Sequence, residues 1–160
     1  MERRMLGPDA LNEFIRAVEA EAKLVAVEGE TPTVEAAAQA VGTSPGNIVK
    51  SLIFVVSGEA VLVIASGVDR VALDVLAGEI GTQRELIRLA KPDEVVEATG
   101  YPVGAVPPFG HANNLSAYMD ASLLDAEEVY AGGGASNVLL RTSPQEILRL
   151  SGANVIQLRK

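Results

Sequence analysis

The 160-residue sequence contains no cysteine and only one histidine, His111. Without cysteine the chain has no disulfide, no thiolate nucleophile and no thiolate metal ligand. One imidazole is too few for a histidine-based zinc site. No GxSxG motif surrounds a serine, and no pair of acidic residues has the spacing of a general acid and base. These absences disfavour conventional triad or metal-dependent hydrolysis, and we expect neither a metal nor another cofactor.

Long hydrophobic runs are also absent. No stretch reaches the roughly 18 apolar residues of a membrane span. Asp9, Asn12 and Glu13 interrupt the only N-terminal segment that could serve as a signal core. We therefore expect a cytoplasmic protein with no membrane partner.

The charge balance is acidic, with a formal net charge of −8. Such a charge disfavours non-specific binding to nucleic acid but leaves room for a small basic site. Arg84, Arg88 and Lys91 lie close together in sequence. They form either such a basic patch or an ordinary solvated face.

The composition is that of a globular protein, with 48% hydrophobic and 21% charged residues. We expect one domain over residues 1–160, beginning with a helical segment of about 22 residues. Periodicity and turn signals place the remaining elements. Helices are predicted over 9–22, 31–42, 92–99 and 143–150 and after Asp69; strands are predicted over 23–27, 48–56, 60–66, 115–120, 127–132, 137–142 and 154–158. Residues 84–90 fit either type.

Local signals refine these elements. Ser57-Gly58-Glu59 joins two continuously apolar runs and predicts a hairpin whose strands are covered on both faces. Gly42 and Gly100 are expected to end helices. The expected N-caps are Asp9, Thr31 (with Pro32 in the first turn), Asp69 and Ser143, the last in a capping box with Glu146. Interleaved helices and strands with a hairpin indicate an α+β fold around a mixed sheet.

Lys50 is the first candidate functional residue, because it interrupts the apolar run 48–53. An ammonium group there cannot be buried cheaply without a partner. It either extends from a strand edge to water or provides a cation at the mouth of a pocket.

The segment "GYPVGAVPPFGH" (100–111) is the second candidate. Its glycines permit close backbone approach and its prolines stiffen the chain between them. A rigid loop with exposed amides can donate hydrogen bonds to a ligand without an ordering cost. The alternative is a structural corner.

"AGGGAS" (131–136) is the third candidate. Gly132, Gly133 and Gly134 follow a predicted strand and could form an anion-binding concavity or a flexible turn. The segment matches no phosphate-binding or dinucleotide motif. Alone it is a weak signal.

Together, "NIVKSLIFVV", "GYPVGAVPPFGH" and "DASLLDAEEVYAGGGASNVLLRTSPQEILRL" resemble the YbaK/prolyl-tRNA-synthetase-associated editing-domain family. The resemblance covers roughly residues 30 to 158. Its most specific marks are Lys50 at the head of a strand and the GxxxP pattern from Gly104 to Pro108.

The resemblance implies a mixed, barrel-like sheet flanked by helices. It also implies a free-standing deacylase that hydrolyses mischarged aminoacyl-tRNA, typically tRNA for proline, without a metal. Its partners would be the aminoacyl-tRNA acceptor end and a prolyl-tRNA synthetase. Lys50 and Gly104 would be catalytic, and the implied substrate-binding residues are Pro107, Pro108, Phe109, Gly110, His111, Gly132, Gly133, Gly134 and Leu139.

Selectivity in such a pocket would be mostly steric. In the alanine-selective branch of this family a histidine follows the valine of the strand after the glycines, whereas here Leu139 follows Val138. That difference disfavours alanine. "PPFGH" (107–111) is closer to branches that act on small or hydroxylated residues such as serine and threonine. His111 would line the pocket or brace the loop.

Two other functions are compatible with the sequence. One is a catalytically silent module that binds tRNA ends or a synthetase. The other is an esterase for a small metabolite that uses the same pocket without RNA. An RNA substrate would show affinity that falls with salt, and a small neutral ester would not.

Overall fold

The computed structural model describes residues 5–31 and 33–158. Five α-helices and eight β-strands alternate irregularly along this part of the chain, which confirms the α+β class. The helices are α1 (Pro8–Ala17), α2 (Val34–Val41), α3 (Leu73–Ile80), α4 (Pro92–Thr99) and α5 (Pro144–Ser151). The strands are β1 (Ala22–Ala26), β2 (Val49–Val56), β3 (Glu59–Ser66), β4 (Ile87–Leu89), β5 (Ser116–Asp120), β6 (Val129–Ala135), β7 (Val138–Thr142) and β8 (Asn154–Ile156). None of the described helices has the length and apolar character needed to cross a membrane.

The strands form two sheets and not the single barrel-like sheet that we expected. One is antiparallel in the order β1-β7-β6, and the other is mixed in the order β4-β2-β3-β5-β8, with β5 parallel to both neighbours. An isolated bridge between Ile48 and Tyr130 links the sheets just before β2 begins. Beyond that bridge β2 and β6 are not paired, so the described strands leave the barrel open.

The β2–β3 hairpin is confirmed. Val56 pairs with Glu59, so the turn contains only Ser57 and Gly58. Both have positive φ angles, 49° and 86°, as a two-residue type I′ turn requires. Alternate β2 side chains enter different apolar clusters, with Val49, Ile53 and Val55 in one and Phe54 and Val56 in the other. The strand is therefore covered on both faces, as predicted.

Three of the four predicted helix N-caps are wrong: Asp9, Asp69 and Thr31. Gly7, and not Asp9, precedes α1, and Ala72 precedes α3. Asp69 lies three residues before that cap, and its main-chain oxygen accepts a hydrogen bond from Lys50. A tertiary contact thus replaces the local cap that the sequence suggested.

Helix α2 begins later than predicted. Thr33 is its N-cap and accepts a hydrogen bond from the Ala36 amide, while Thr31 donates to the carbonyl oxygen of Ser136. The expected role of Pro32 lies outside the described residues. Gly42 ends the helix in a left-handed conformation, as predicted.

The other helix ends agree with the sequence in most respects. Gly100 ends α4 with φ of 85°. Ser143 caps α5 by accepting a hydrogen bond from the Glu146 amide. The Glu146 carboxylate does not complete the capping box, because it accepts from the Glu21 amide and from Arg149. The ambiguous segment 84–90 contains a single 3₁₀ turn followed by β4.

Candidate functional site

A cavity of about 300 Å³ lies in the gap between the two sheets. Its walls come from β2 with Ile48, from α2, from β6 and β7, and from Val95 of α4. The loop at Val103, Gly104 and Val106, the end of β4 at Leu89 and Ala90, and the polar residues Thr31, Thr33 and Ser136 also line it. Most of these side chains are apolar, and no aspartate or glutamate is among them.

The cavity exists because one edge of β2 is left open. Strand β3 pairs with all of β2, from Val49 to Val56. Strand β4 pairs on the opposite side only from Phe54 onward, and the Ala90 amide donates to the Ile53 oxygen. Along the described chain, no strand pairs with residues 49–52 on that side, and all four line the cavity.

Lys50 lies on this open edge. Its Nζ atom donates a 2.6 Å hydrogen bond to the main-chain oxygen of Asp69. Burial lowers the pKa of Lys50 below its usual value, the Asp69 carboxylate partly opposes this shift, and the Arg70 charge adds to it. Of the two interpretations of Lys50, the structure favours the cation beside a pocket.

Gly104 also lines the cavity. It is exposed and has φ of 86°, a conformation that side-chain-bearing residues rarely adopt. A Cβ atom built on it would meet no atom within 4 Å. The residue is therefore glycine for its backbone geometry and not for lack of space.

The second half of the same loop turns away from the cavity. Pro107, Pro108 and Phe109 are buried, and the Phe109 ring packs against Phe14 of α1 with centroids 5.7 Å apart. Phe109, Gly110 and His111 line a separate concavity of about 330 Å³ beside α1. The structure thus does not bring the predicted substrate-binding residues 107–111 together with Lys50 and Gly104.

His111 is positioned as a brace. Its Nε2 atom lies 2.6 Å from the Pro107 carbonyl oxygen, so Nε2 carries the proton and donates it. Burial lowers the pKa of His111, and the hydrogen bond to Pro107 acts in the opposite direction. The neutral imidazole therefore ties the two ends of the Pro107–His111 segment together.

The three glycines lie in a bulged strand and not in a turn. Gly132, Gly133 and Gly134 all belong to β6, and its pairing with β7 shifts register between Gly132 and Ala135. A Cβ atom on Gly132 would collide with the Val106 oxygen, and one on Gly133 would lie 2.6 Å from the Val138 oxygen.

Only part of the predicted glycine site faces the cavity. Gly132 lines it, whereas Gly133 and Gly134 are buried elsewhere. The Gly134 amide already donates to the Ala105 oxygen at 2.9 Å. That amide is therefore not available for the anion-binding concavity that the sequence suggested.

Leu139 reaches the cavity from β7. It pairs with Gly132 across the sheet and is only 7% exposed. It packs with Ala37, Ile48 and Tyr130 in an apolar cluster that forms the wall beside α2. The structure thus brings four predicted site residues together: Lys50, Gly104, Gly132 and Leu139.

Ser51 was not among the predicted site residues, although it lines the cavity from β2. Its hydroxyl is buried and has no hydrogen-bond partner within the described chain. The available signal was a polar residue between Val49 and Ile53 on one face of an otherwise apolar strand.

Of the three basic residues near β4, Arg88 is paired with an acidic side chain, whereas Arg84 and Lys91 are exposed. Arg88 makes a bidentate pair with Glu94 at 2.7 and 2.9 Å. The hydrogen bonds from Arg88 and from the Lys91 amide lower the pKa of Glu94 to about 2.

Among the residues that the structure describes, no cluster of three His, Cys, Asp or Glu could hold a metal ion.

Comparison with known proteins gives a consistent result. The model of the aminoacyl-tRNA editing domain matches residues 28–150. The uncharacterized protein YwhH of Bacillus subtilis is 33% identical over 129 residues, 80% of each chain. The multifunctional Ser/Thr-tRNA deacylase ProXp-y of Escherichia coli is 32% identical over 133 residues, which are 79% of this chain and 77% of the relative.

A solved structure shows the same fold. It is a proposed trans-editing enzyme for prolyl tRNA synthetase with 41% sequence identity and a TM-score of 0.85, and the match covers 97% of this chain and 99% of that one. The family model spans most of the chain, including β2 with Lys50, the loop with Gly104, and β6 and β7. The chain belongs to the aminoacyl-tRNA editing domain family.

Proposed function

We propose that the protein is a trans-editing deacylase that removes a small wrong amino acid from mischarged tRNA for proline. The observation that carries this proposal is the position of Lys50, a partly buried cation on the open edge of β2, beside a small apolar cavity. An aminoacyl-tRNA end is complementary to this site. A small amino-acid side chain would pack against the apolar walls, and the ester carbonyl or the tRNA phosphates would interact with the cation.

The reaction is hydrolysis of an ester. The oxygen of water attacks the ester carbonyl carbon, and the bond from that carbon to the ribose oxygen breaks. The ribose oxygen takes up a proton, so the products are the free amino acid and uncharged tRNA. Because an ester is already activated, hydrolysis requires positioning and oxyanion stabilisation more than a protein nucleophile.

In this proposal, four residues act directly on the substrate. Lys50 holds the carbonyl region or the terminal nucleotide, and the main chain at Gly104 stabilises the developing oxyanion. Gly132 and Leu139 limit the space for the side chain. Pro107 to His111 support the loop from behind, since they do not line the cavity. The mechanism uses no metal.

The proposed function also implies which macromolecules the protein acts with. The relative of known structure is described as a trans-editing enzyme for prolyl tRNA synthetase, so we propose that this protein acts on tRNA that such a synthetase has mischarged. With a net charge of −8, contact with RNA is limited to the acceptor end.

The experiment is a deacylation assay on proline tRNA charged separately with alanine, serine, threonine, cysteine or proline. We expect rapid loss of one or two non-proline amino acids, retention of proline, a KM that rises with salt, and no effect of chelators. If proline tRNA is deacylated with none of these amino acids, the proposed activity is refuted, and a silent binding module or a metabolite hydrolase becomes the favoured function. Hydrolysis of small esters with salt-independent KM would instead identify a metabolite esterase.

A further inference from the structure

Two large apolar residues lie at the mouth of the cavity. Leu89, the last residue of β4, is 60% exposed, and Val103, just before Gly104 in the loop, is 57% exposed. Both residues line the cavity, so the cavity opens to solvent beside them. The other exposed lining residues are Thr33, Gly104 and Ser136. Leu89 and Val103 therefore form the apolar part of the rim.

Hydrogen bonds of the main chain hold Leu89 in place. Leu89 pairs with Phe54 of β2, and the amide of Ala90, the next residue, donates to the Ile53 oxygen at 2.9 Å. The exposed side chain thus extends from an anchored strand end and not from a free loop. An anchored residue loses less conformational freedom when a ligand binds to it.

Val103 lies in a tight turn. The Ala105 amide donates to the Pro102 oxygen at 3.1 Å, and Gly104 follows Val103 with φ of 86°. A positive φ at the third residue is typical of a type II turn. Val103 is also β-branched, and such side chains adopt few rotamers. The turn and the side chain together fix the position of this apolar surface.

Exposed apolar surface at the opening of a pocket is typical of a binding site, whereas isolated exposed apolar side chains need no explanation. In the part of the chain that the structure describes, the other exposed large apolar residues line no part of this cavity; they are Met5, Val68, Leu86 and Val155. The position of Leu89 and Val103 at one opening therefore points to a ligand that covers them.

The covalent structure of an aminoacyl-tRNA determines what lies at this rim. The ester bond joins the amino acid directly to the ribose of the terminal adenosine. An amino acid inside the cavity therefore places that ribose at the mouth and the adenine base within reach of the rim. The cavity, of about 300 Å³, is at the lower limit for small-molecule sites, so we expect the base to remain outside it.

We propose that Leu89 and Val103 bind the faces of the terminal adenine base while the amino acid occupies the cavity. The inference rests on the proposed function and assigns two substrate-binding residues to it. The faces of a base are apolar, and enzymes that act on nucleotides hold bases between aromatic or apolar side chains. This contact fixes the ribose, and with it the ester carbonyl, beside Lys50 and Gly104.

The test compares two forms of charged proline tRNA, one with its terminal adenine and one in which the terminal ribose carries no base. Both carry the amino acid that the wild-type protein removes fastest. We expect loss of the base to lower kcat/KM of the wild type by about tenfold, an effect in the range of base stacking on a protein. The combined variant Leu89→Ala and Val103→Ala should have a kcat/KM about tenfold below wild type on the adenine form, and within about twofold of wild type on the base-free form.

Matched controls separate this contact from general effects of removing exposed apolar side chains. Leu86 is 49% exposed and Val155 is 39% exposed, and neither lines the cavity. Leu86→Ala and Val155→Ala should keep wild-type kcat/KM on both forms of the tRNA. Since Leu89 and Val103 are exposed, their combined variant should unfold within about 2 °C of wild type.

Three results would overturn the inference while leaving the proposed function intact. If the combined variant lowers kcat/KM by the same factor on both forms, the rim does not contact the base. If it changes neither value, the rim does not contact the substrate. If it instead dissociates a dimer seen for wild type in sedimentation and keeps wild-type kinetics, the rim is a contact between two copies of the chain.

The proposed function fails separately, when wild-type protein deacylates neither form of the tRNA. Should the combined variant not fold, the single variants Leu89→Ala and Val103→Ala provide the same comparison, with an expected effect of about threefold each on the adenine form.

Discussion

The Lys50 ammonium group is held by the main-chain oxygen of Asp69, at a distance of 2.6 Å. This hydrogen bond joins the open edge of β2 to the chain that follows β3, nineteen residues later. The main-chain oxygen orients the ammonium group, and the nearby Asp69 carboxylate favours its charged form. The Lys50 cation is thus held in a fixed position at the edge of the cavity.

The first prediction concerns this cation. Lys50→Ala should lower deacylation by at least about 100-fold, the effect typical of removing one electrostatic contact to a reacting group. The free energy of unfolding should change by less than about 1 kcal/mol, because Lys50 lies outside the apolar clusters. Single-turnover deacylation and urea unfolding measure the two effects.

Lys23→Ala is the control for net charge, since Lys23 is exposed on β1 and does not line the cavity. It should retain wild-type turnover. Equal turnover of Lys50→Ala and wild type would remove Lys50 from the mechanism.

The second prediction compares two glycines of the cavity. Gly104→Ala has space for its Cβ but must keep φ at 86°, so it should fold with a loss of about 1–2 kcal/mol. Gly132→Ala would place its Cβ against the main chain of Ala105 and Val106. Since main-chain atoms cannot move aside cheaply, we expect a much larger loss of stability.

Gly104→Asn provides a further check by thermal unfolding. Asparagine tolerates positive φ better than alanine, so this variant should unfold at a higher temperature than Gly104→Ala. The opposite order would show that Gly104 is required for a reason other than its φ angle.

Features that adjacent residues determine were predicted correctly from the sequence, and features that depend on residues distant in sequence were not. The hairpin at Ser57-Gly58 and the end of α4 at Gly100 were predicted correctly, because adjacent residues determine both. The cap at Asp69 was wrong, because α3 begins only at Leu73, too far along the chain for Asp69 to cap it. The glycines of β6 were not recognised as part of a strand, since the main chain that excludes side chains at Gly132 and Gly133 belongs to residues 105–106 and 138–139.

The sequence predicted the candidate site only in part, because the position of each residue in the fold depends on packing between segments that are distant in sequence. Lys50, Gly104, Gly132 and Leu139 meet in one cavity, as a shared site requires. Residues 107–111 were assigned to the same site by the family resemblance, but the packing of Phe109 on α1 directs that segment elsewhere. Ser51 was missed because a missing hydrogen-bond partner is visible only in three dimensions.

The third prediction concerns Glu146, which is only 6% exposed. Its carboxylate accepts from the Glu21 amide and from Arg149, and Thr142 donates to the Glu21 oxygen. Glu146→Ala leaves that amide without its acceptor and should cost about 1–3 kcal/mol in urea unfolding. Glu146→Gln should cost less, because it keeps an acceptor oxygen.

Glu13→Ala on the exposed face of α1 is the control for Glu146 and should change stability by less than about 0.5 kcal/mol. If Glu146→Ala were as stable as this control, the contact between α5 and the start of β1 would contribute nothing measurable.

The last prediction concerns pH. Burial lowers the pKa of His111 from its usual 6.5, so on acidification the unfolded chain takes up a proton before the folded protein does. The stability that His111 contributes is therefore complete above about pH 6.5 and is lost as the pH falls toward the lower folded pKa. Between about pH 7.5 and 5.5, wild type should lose stability more steeply than His111→Gln, by at most about 1.4 kcal/mol per pH unit. Urea unfolding across this range measures both slopes, and parallel profiles would show that His111 stays equally protonated in both states.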